Sequence, residues 1–240
     1  MTIPPLTVRP ILHTEHADYY RTVFGALGAR TLSDDPMWTE LELDAGRVTI
    51  TALNRDAVEG DVDLGFETPD LNAFLDAVTP TEGMTVERFV TDDAESVRVV
   101  GRDGLSFLVD ASMPGGTPPG APSAWIHGLW ITTDVTKTAE DLEALGLRKR
   151  LTEVNGRTID LRAAQGDVLV HTNDGGPIGA TVAVDLADLD AAHKALIDAG
   201  IAHDVIDETH GRTLKVPMPG TDQMLWIGQP DPAPVGVIVH

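Results

Sequence analysis

The residues able to do chemistry in this chain are few. There are eight histidines and no cysteine, which excludes thiolate zinc sites, disulfides and cysteine nucleophiles together. Imidazole nitrogen and carboxylate oxygen remain as metal ligands and acid–base groups. His127 stands near the start of an apolar run, WIHGLWITTDV, residues 125–135. A histidine so placed is either a ligand or base at the mouth of a pocket or a polar group in a core. Two further histidines end apolar runs: His13 closes LTVRPILH, and His171 follows DVLV. Residues two apart on a strand share a face, which groups Arg9 with His13 and Leu169 with His171. The chain has no G-x-S-x-G elbow and no Walker-type phosphate loop, since GTPPGAP lacks the lysine and the helix context.

The elements that must position these residues repeat along the chain. ALGAR at 26–30 recurs as ALGLR at 144–148, and DLNA at 70–73 as DLDA at 188–191, both at an offset of 118. Between the copies lies MPGGTPPGAP, residues 113–122, too rich in proline and glycine for helix or ladder strand. The expected organisation is a first domain over 1–112, a linker over 113–122 and a second domain over 123–240. Each half divides again into strand, short helix and further strands. LTVRPILH, HADYYRTVFGALG, TELELDAG and RVTITALN form the first unit, and VDLGFETP opens the second with DLNAFLDAV, TVERFV, SVRVV and LSFLVD. WIHGLWITT, TAEDLEALG, RTIDLRA and DVLVHT form the third. ATVAVDL, DLDAAHKALIDAG, HDVID, TLKVPM and QMLWIG complete the fourth. The fold class is α+β, with four βαβββ modules, each too small to bury its sheet face alone.

Composition bounds the partners. The chain has 240 residues, enough for a sizeable core, and a formal net charge of -21 with four lysines. That field repels phosphate backbones and anionic membranes, so nucleic acid and membrane are not expected partners. MTIPPLTVRP is not a signal peptide and no apolar stretch reaches spanning length, so the expected location is the cytoplasm. SDDP, TDDAE and IDET read as solvated turns.

Four βαβββ modules in tandem, with a strand running into D-L-D-A and helices ending A-L-G or D-A-G, resemble the vicinal oxygen chelate superfamily of glyoxalase I, bleomycin-resistance proteins and extradiol dioxygenases. HGLWITTDVTKTAEDLEALGL and VAVDLADLDAAHKALIDAGI look like module openings, and the resemblance covers nearly the whole chain. It implies modules paired into two cup-shaped mixed β-sheets. In metal-dependent members it implies ligands at an early residue of a module's first strand, usually His, and on its fourth strand, usually Glu. Such an ion, with open positions, grips two vicinal oxygens of a substrate as a Lewis acid.

Carried onto this chain, the first-strand positions are Arg9, Asp63, His127 and Thr181, again 118 apart. The fourth-strand positions are Thr49, Leu108, Leu169 and Trp226. Neither cup then holds three protein ligands, and a guanidinium at a metal position repels the ion. No cofactor is therefore expected. The alternative is a divalent metal at a rebuilt site, with His127 facing His171 and Asp185 as the carboxylate.

By alternation, Arg9, His13, Thr49, Thr51, Asp63, Glu67, Ser106 and Asp110 point into the first cup, with Leu108 at its fourth-strand position. Arg9 and Asp63 are placed to pair, as part of either a polar ligand site or a structural ion pair. His127, Leu129, Ile131, Leu169, His171, Thr181, Met224 and Trp226 line the second, more apolar cup, in the usual form of a small-molecule site, where an indole face can stack on a ligand. Trp130 faces the helices, Trp38 a cup rim, and Trp125 either core or rim. His16 is local to the first helix; His193, His203, His210 and His240 are solvated surface. The function expected is metal-independent binding of a small molecule, as in antibiotic or metabolite sequestration. An enzyme (lyase, isomerase or dioxygenase) built on His127 is the first alternative, and a regulatory domain with closed cups the second. Four modules can pair within one chain, so monomer and homodimer are both open.

Overall fold

A computed structural model describes residues 2–35, 37–53, 56–91, 94–113, 122–208, 211–230 and 234–240. Most of the expected linker, 114–121, lies outside the described residues, as does His210.

The first module contains β1 (Thr7–Val8), β2 (Ile11–His13), α1 (Ala17–Ala26), β3 (Arg30–Asp35), β4 (Trp38–Glu42) and β5 (Arg47–Thr51). Its opening strand, expected to be continuous, breaks at Arg9–Pro10, because proline has no N–H for a ladder. The second contains β6 (Val62–Asp63), β7 (Gly65–Thr68), α2 (Leu71–Ala77), β8 (Thr85–Val90), β9 (Glu95–Val100) and β10 (Ser106–Ala111). The third contains β11 (Ala124–Thr132), α3 (Val135–Ala144), β12 (Arg148–Glu153), β13 (Thr158–Arg162) and β14 (Asp167–Thr172). The fourth contains β15 (Gly179–Leu186), α4 (Leu189–Asp198), β16 (Asp204–Glu208), β17 (Gly211–Pro217) and β18 (Met224–Gly228), and a last strand, β19 (Val237–Val239), follows it.

The repeated aspartates have a local cause. Asp70, Asp134 and Asp188 are N-caps whose carboxylates accept from the backbone N–H of Ala73, Lys137 and Ala191 at 2.9–3.1 Å. Three strands escaped the sequence pattern, β3, β12 and the last strand β19. RKRLTE lacks period-two alternation, yet pairs with β13 as β12; Ser33–Asp35, expected to turn, closes β3 against β4.

Modules pair within each half. In the second half the order is β12-β13-β14-β11-β15-β18-β17-β16, with β11 parallel to β14 and antiparallel to β15. In the first half the broken opening strands split the equivalent sheet: β3-β4-β5-β2-β6 forms one ladder and β1-β7-β10-β9-β8 the other.

The halves join by reciprocal contacts. Val8 N–H donates to the Gln165 carbonyl and Ile126 N–H to the Ala45 carbonyl, each at 2.8 Å, so the turn of each half docks on the first strand of the other. Gly46 and Gly166 make this possible. Both have positive φ (97° and 80°), and a Cβ on Gly46 would lie 2.8 Å from Ile126 Cβ, one on Gly166 2.9 Å from Val8 Cβ. Buried side chains of both halves form one apolar cluster. Trp130 is part of it, edge-on to Phe107, with its indole N–H donating to Asp103 at 2.8 Å.

Candidate ligand site in the second cup

The centre of the first cup is filled by charge. Arg9 is 3 % exposed and lies against Glu40, Glu67 and Asp110. It also donates to Thr49 Oγ1 at 3.4 Å and stacks 5.5 Å from the centroid of Trp38. Arg47 bridges Glu67 at 2.6 Å and Glu42 at 3.0 Å. Burial pushes the Glu67 carboxyl up to about 7; Arg9 and Arg47 pull it down, while the neighbouring Glu40 pushes it further up. The expected Arg9–Asp63 pair does not form. Gly65 sits beside Arg9 in the ladder, the guanidinium turns to the buried glutamates, and Asp63 instead meets His13 Nε2 at 2.9 Å. Thr49 is fully buried in this network, Leu108 is half-buried, and Thr51 donates to the Met37 carbonyl at 2.9 Å.

In the second cup the strand register sorts the concave face into rungs. Arg162, Asp167, His127, Ala183, Trp226 and Lys215 align across one rung. Asp160, Leu169, Leu129 and Thr181 align across the next, and Thr158, His171, Ile131 and Gly179 across a third. His171 is therefore not opposite His127. Asp167 is, and His171 stands four residues further along β14, about 13 Å at strand rise. His171 Nδ1 pairs with Thr158 Oγ1 at 2.8 Å. The rebuilt two-histidine site does not assemble.

His127 does meet Asp185, Nε2 to Oδ2 at 3.2 Å, as alternation suggested. The contact is ionic rather than a well-aimed hydrogen bond: both ring nitrogens are buried without a hydrogen-bond partner. Burial works against the imidazolium, but Asp185, aided by Asp160 and Asp167, outweighs it and holds His127 above its ordinary value. Burial likewise disfavours the Asp185 carboxylate, and His127 overcomes this, holding it below the usual range. Arg150 reaches across from β12 to Asp160 and Asp167, and Arg162 grips Asp167 with two hydrogen bonds of 2.9 Å. Asp160 is raised by burial, opposed by Arg150, and its Oδ1 is buried without a partner.

Beside this cluster a cavity of about 560 Å³ opens over β12–β14. Leu151, Leu169, Thr158 and Asp160 form its floor, and residues 153–155 and 234–237 its walls. Leu169 is the predicted residue that lines it. His127, at 4 % exposure, is not on the lining, contrary to its expected role as a pocket wall. Thr181, Met224 and Trp226 stand on the other wing, where Trp226 is 40 % exposed beneath the Lys215 ammonium, 3.6 Å from the ring centroid. Asp160 and Arg150 were missed. Period-two alternation in RTIDLRA places Asp160 with Thr158 and Arg162, but Arg150 lies on the strand that carried no pattern. The VIV of β19 is β-branched, a strand signal at the tail.

No family model matches this chain and no curated protein matches it. Solved structures do. A catechol 2,3-dioxygenase is similar at TM-score 0.61 and 15% identity, covering 98% of this chain and 96% of that one. The Mn(II)-bound glyoxalase from Novosphingobium aromaticivorans is similar at 0.64 and 13%, covering 96% and 83%. Homoprotocatechuate 2,3-dioxygenase from Arthrobacter globiformis is similar at 0.62 and 15%, covering 95% and 80%. At these identities the likeness shows the fold, which is the vicinal oxygen chelate fold.

Against an ion such as the Mn(II) of that glyoxalase, the buried carboxylates of both cups are already paired with guanidinium. In the first cup Arg9 holds the carboxylates around it. In the second, Arg150 and Arg162 hold Asp160 and Asp167. Among the described residues no three of His, Asp and Glu converge as a ligand set. No helix among them is long and apolar enough to cross a membrane.

Proposed function

We propose that this chain binds a small amphipathic organic molecule in its second cup, without a resident metal ion, and sequesters it in the manner of an antibiotic- or metabolite-binding protein. The observation that carries this reading is the 560 Å³ cavity, apolar through Leu151, Val154, Leu169, Pro234, Val235 and Val237, with Thr158, Asn155 and Asp160 as polar points of its lining. A concave apolar site with a few convergent polar groups is the usual form of a small-molecule pocket. The Arg9 and Arg150 pairings support metal independence, because guanidinium already neutralises the carboxylates an ion would need.

An enzyme acting through His127 is the second reading, favoured by its contact with Asp185. The burial of the imidazole weighs against it, since a base must reach the proton it takes.

Native mass spectrometry of the chain purified without chelators, together with uptake of the neutral dye Nile red, tests the proposal. An organic adduct or dye uptake that Leu169→Trp abolishes is the expected result. A stoichiometric metal ion lost on His127→Asn overturns metal independence. Failure to take up any organic molecule points to closed cups.

A further inference from the structure

His193 and His203, expected as solvated surface, meet each other. His193 is on α4 and His203 lies just before β16, both partly buried. His193 Nδ1 is 2.7 Å from His203 Nε2, with the rings nearly perpendicular, 81° apart. His203 Nδ1 lies 2.9 Å from the Ile201 carbonyl oxygen. A carbonyl only accepts, so Nδ1 carries the hydrogen and, in the neutral ring, His203 Nε2 presents a lone pair to His193. Two facing imidazole nitrogens at this distance need a positive particle between them. A proton on His193 Nδ1 serves when nothing else is present; with that proton on Nε2 instead, both lone pairs converge.

We propose that His193 and His203 form a two-imidazole site for a borderline divalent transition-metal ion, such as Ni²⁺, Zn²⁺ or Cu²⁺, at the corner between α4 and β16. Imidazole suits these ions, whereas Mg²⁺ and Ca²⁺ take oxygen ligands. Metal–nitrogen bonds of about 2.0–2.1 Å at a tetrahedral ion set the two nitrogens roughly 3.3 Å apart, about 0.6 Å wider than the 2.7 Å at which they stand. The Ile201 carbonyl orients His203 in the way that an outer hydrogen bond orients a metal-bound histidine. Water completes the coordination, and the net charge of -21 concentrates cations at the surface. The site is separate from the second cup, whose cavity neither histidine lines.

Calorimetric titration of the full chain with Ni²⁺, and with Mg²⁺ as the hard-ion control, tests this. One equivalent of Ni²⁺ is expected, weakened on the order of tenfold or more by His193→Ala and by His203→Ala, unchanged by His127→Asn, and not displaced by Mg²⁺. Absence of stoichiometric binding, or binding that survives both alanine substitutions, overturns it. Should either variant lose its circular dichroism, paramagnetic broadening in the wild-type chain decides: Ni²⁺ must broaden the ring resonances of these two histidines first, and broadening elsewhere refutes the site.

Discussion

At the scale of residues, both cups pair their buried carboxylates with guanidinium groups. In the first, Arg9 and Arg47 face Glu40, Glu42, Glu67 and Asp110, and burial, with Glu40 beside it, leaves Glu67 titrating at about 7. Its folded pKa, about 7, exceeds the ordinary 4.5, so the folded state binds the proton more tightly than the unfolded chain. Stability attributable to Glu67 is therefore greatest below about pH 4.5 and falls as pH rises through the raised value. The pairing of His127 acts in the same direction: it stabilises fully below the unfolded histidine value and is lost as pH climbs past the raised folded one. Glu67→Gln, which mimics the protonated side chain, is expected to flatten the decline between about pH 5 and 7, by at most about 3 kcal/mol. Denaturant unfolding of both proteins across that range measures it, and an unchanged slope in the variant refutes the assignment to Glu67.

At the scale of elements, the turns between the last two strands of modules one and three do more than reverse the chain. Gly46 and Gly166 let each half's turn pack on the other half's first strand, the one that leads into Arg9 or the one that carries His127. Gly166→Ala adds a Cβ 2.9 Å from Val8 Cβ and 3.0 Å from the Ile126 carbonyl, neither of which is a flexible tip. Gly156 shares the positive φ, at 72°, but has nothing within 4 Å. Gly156→Ala should cost only the backbone penalty, about 1–2 kcal/mol, and Gly166→Ala roughly 1–3 kcal/mol more. Equal losses in thermal melts of the two variants would show that the interlock between halves is not tight. At this scale the repeat was legible in the sequence, because capping aspartates and helix-ending glycines are local. Strand β12 was not, because RKRLTE owes its strand state to β13 and β19.

At the scale of the whole molecule, the charge of -21 acts against compaction. Raising salt from about 0.02 to 0.5 M shortens the Debye length to a few ångströms and should raise the melting temperature, even though it weakens surface pairs such as Arg157–Asp174 and Arg212–Asp190. A melting temperature that falls with salt would mean that those pairs outweigh the self-repulsion.

The amino-acid sequence by itself determined the four-module plan and the concave-facing set of most strands, including His127 with Asp185, since capping, helix termination and strand alternation depend on neighbours a few residues away. Tertiary structure alone decided which of those facing groups meet. Arg9 shares a face with Asp63 by alternation but turns to Glu40 and Glu67, because their burial leaves them needing a cation. His127 and His171 share a face, yet the register between β11 and β14 holds them rungs apart. The cavity itself depends on β12, through Leu151 and Glu153, and on the tail at 234–237, brought together from opposite ends of the second half, and pairing across such a span leaves no periodicity in either segment.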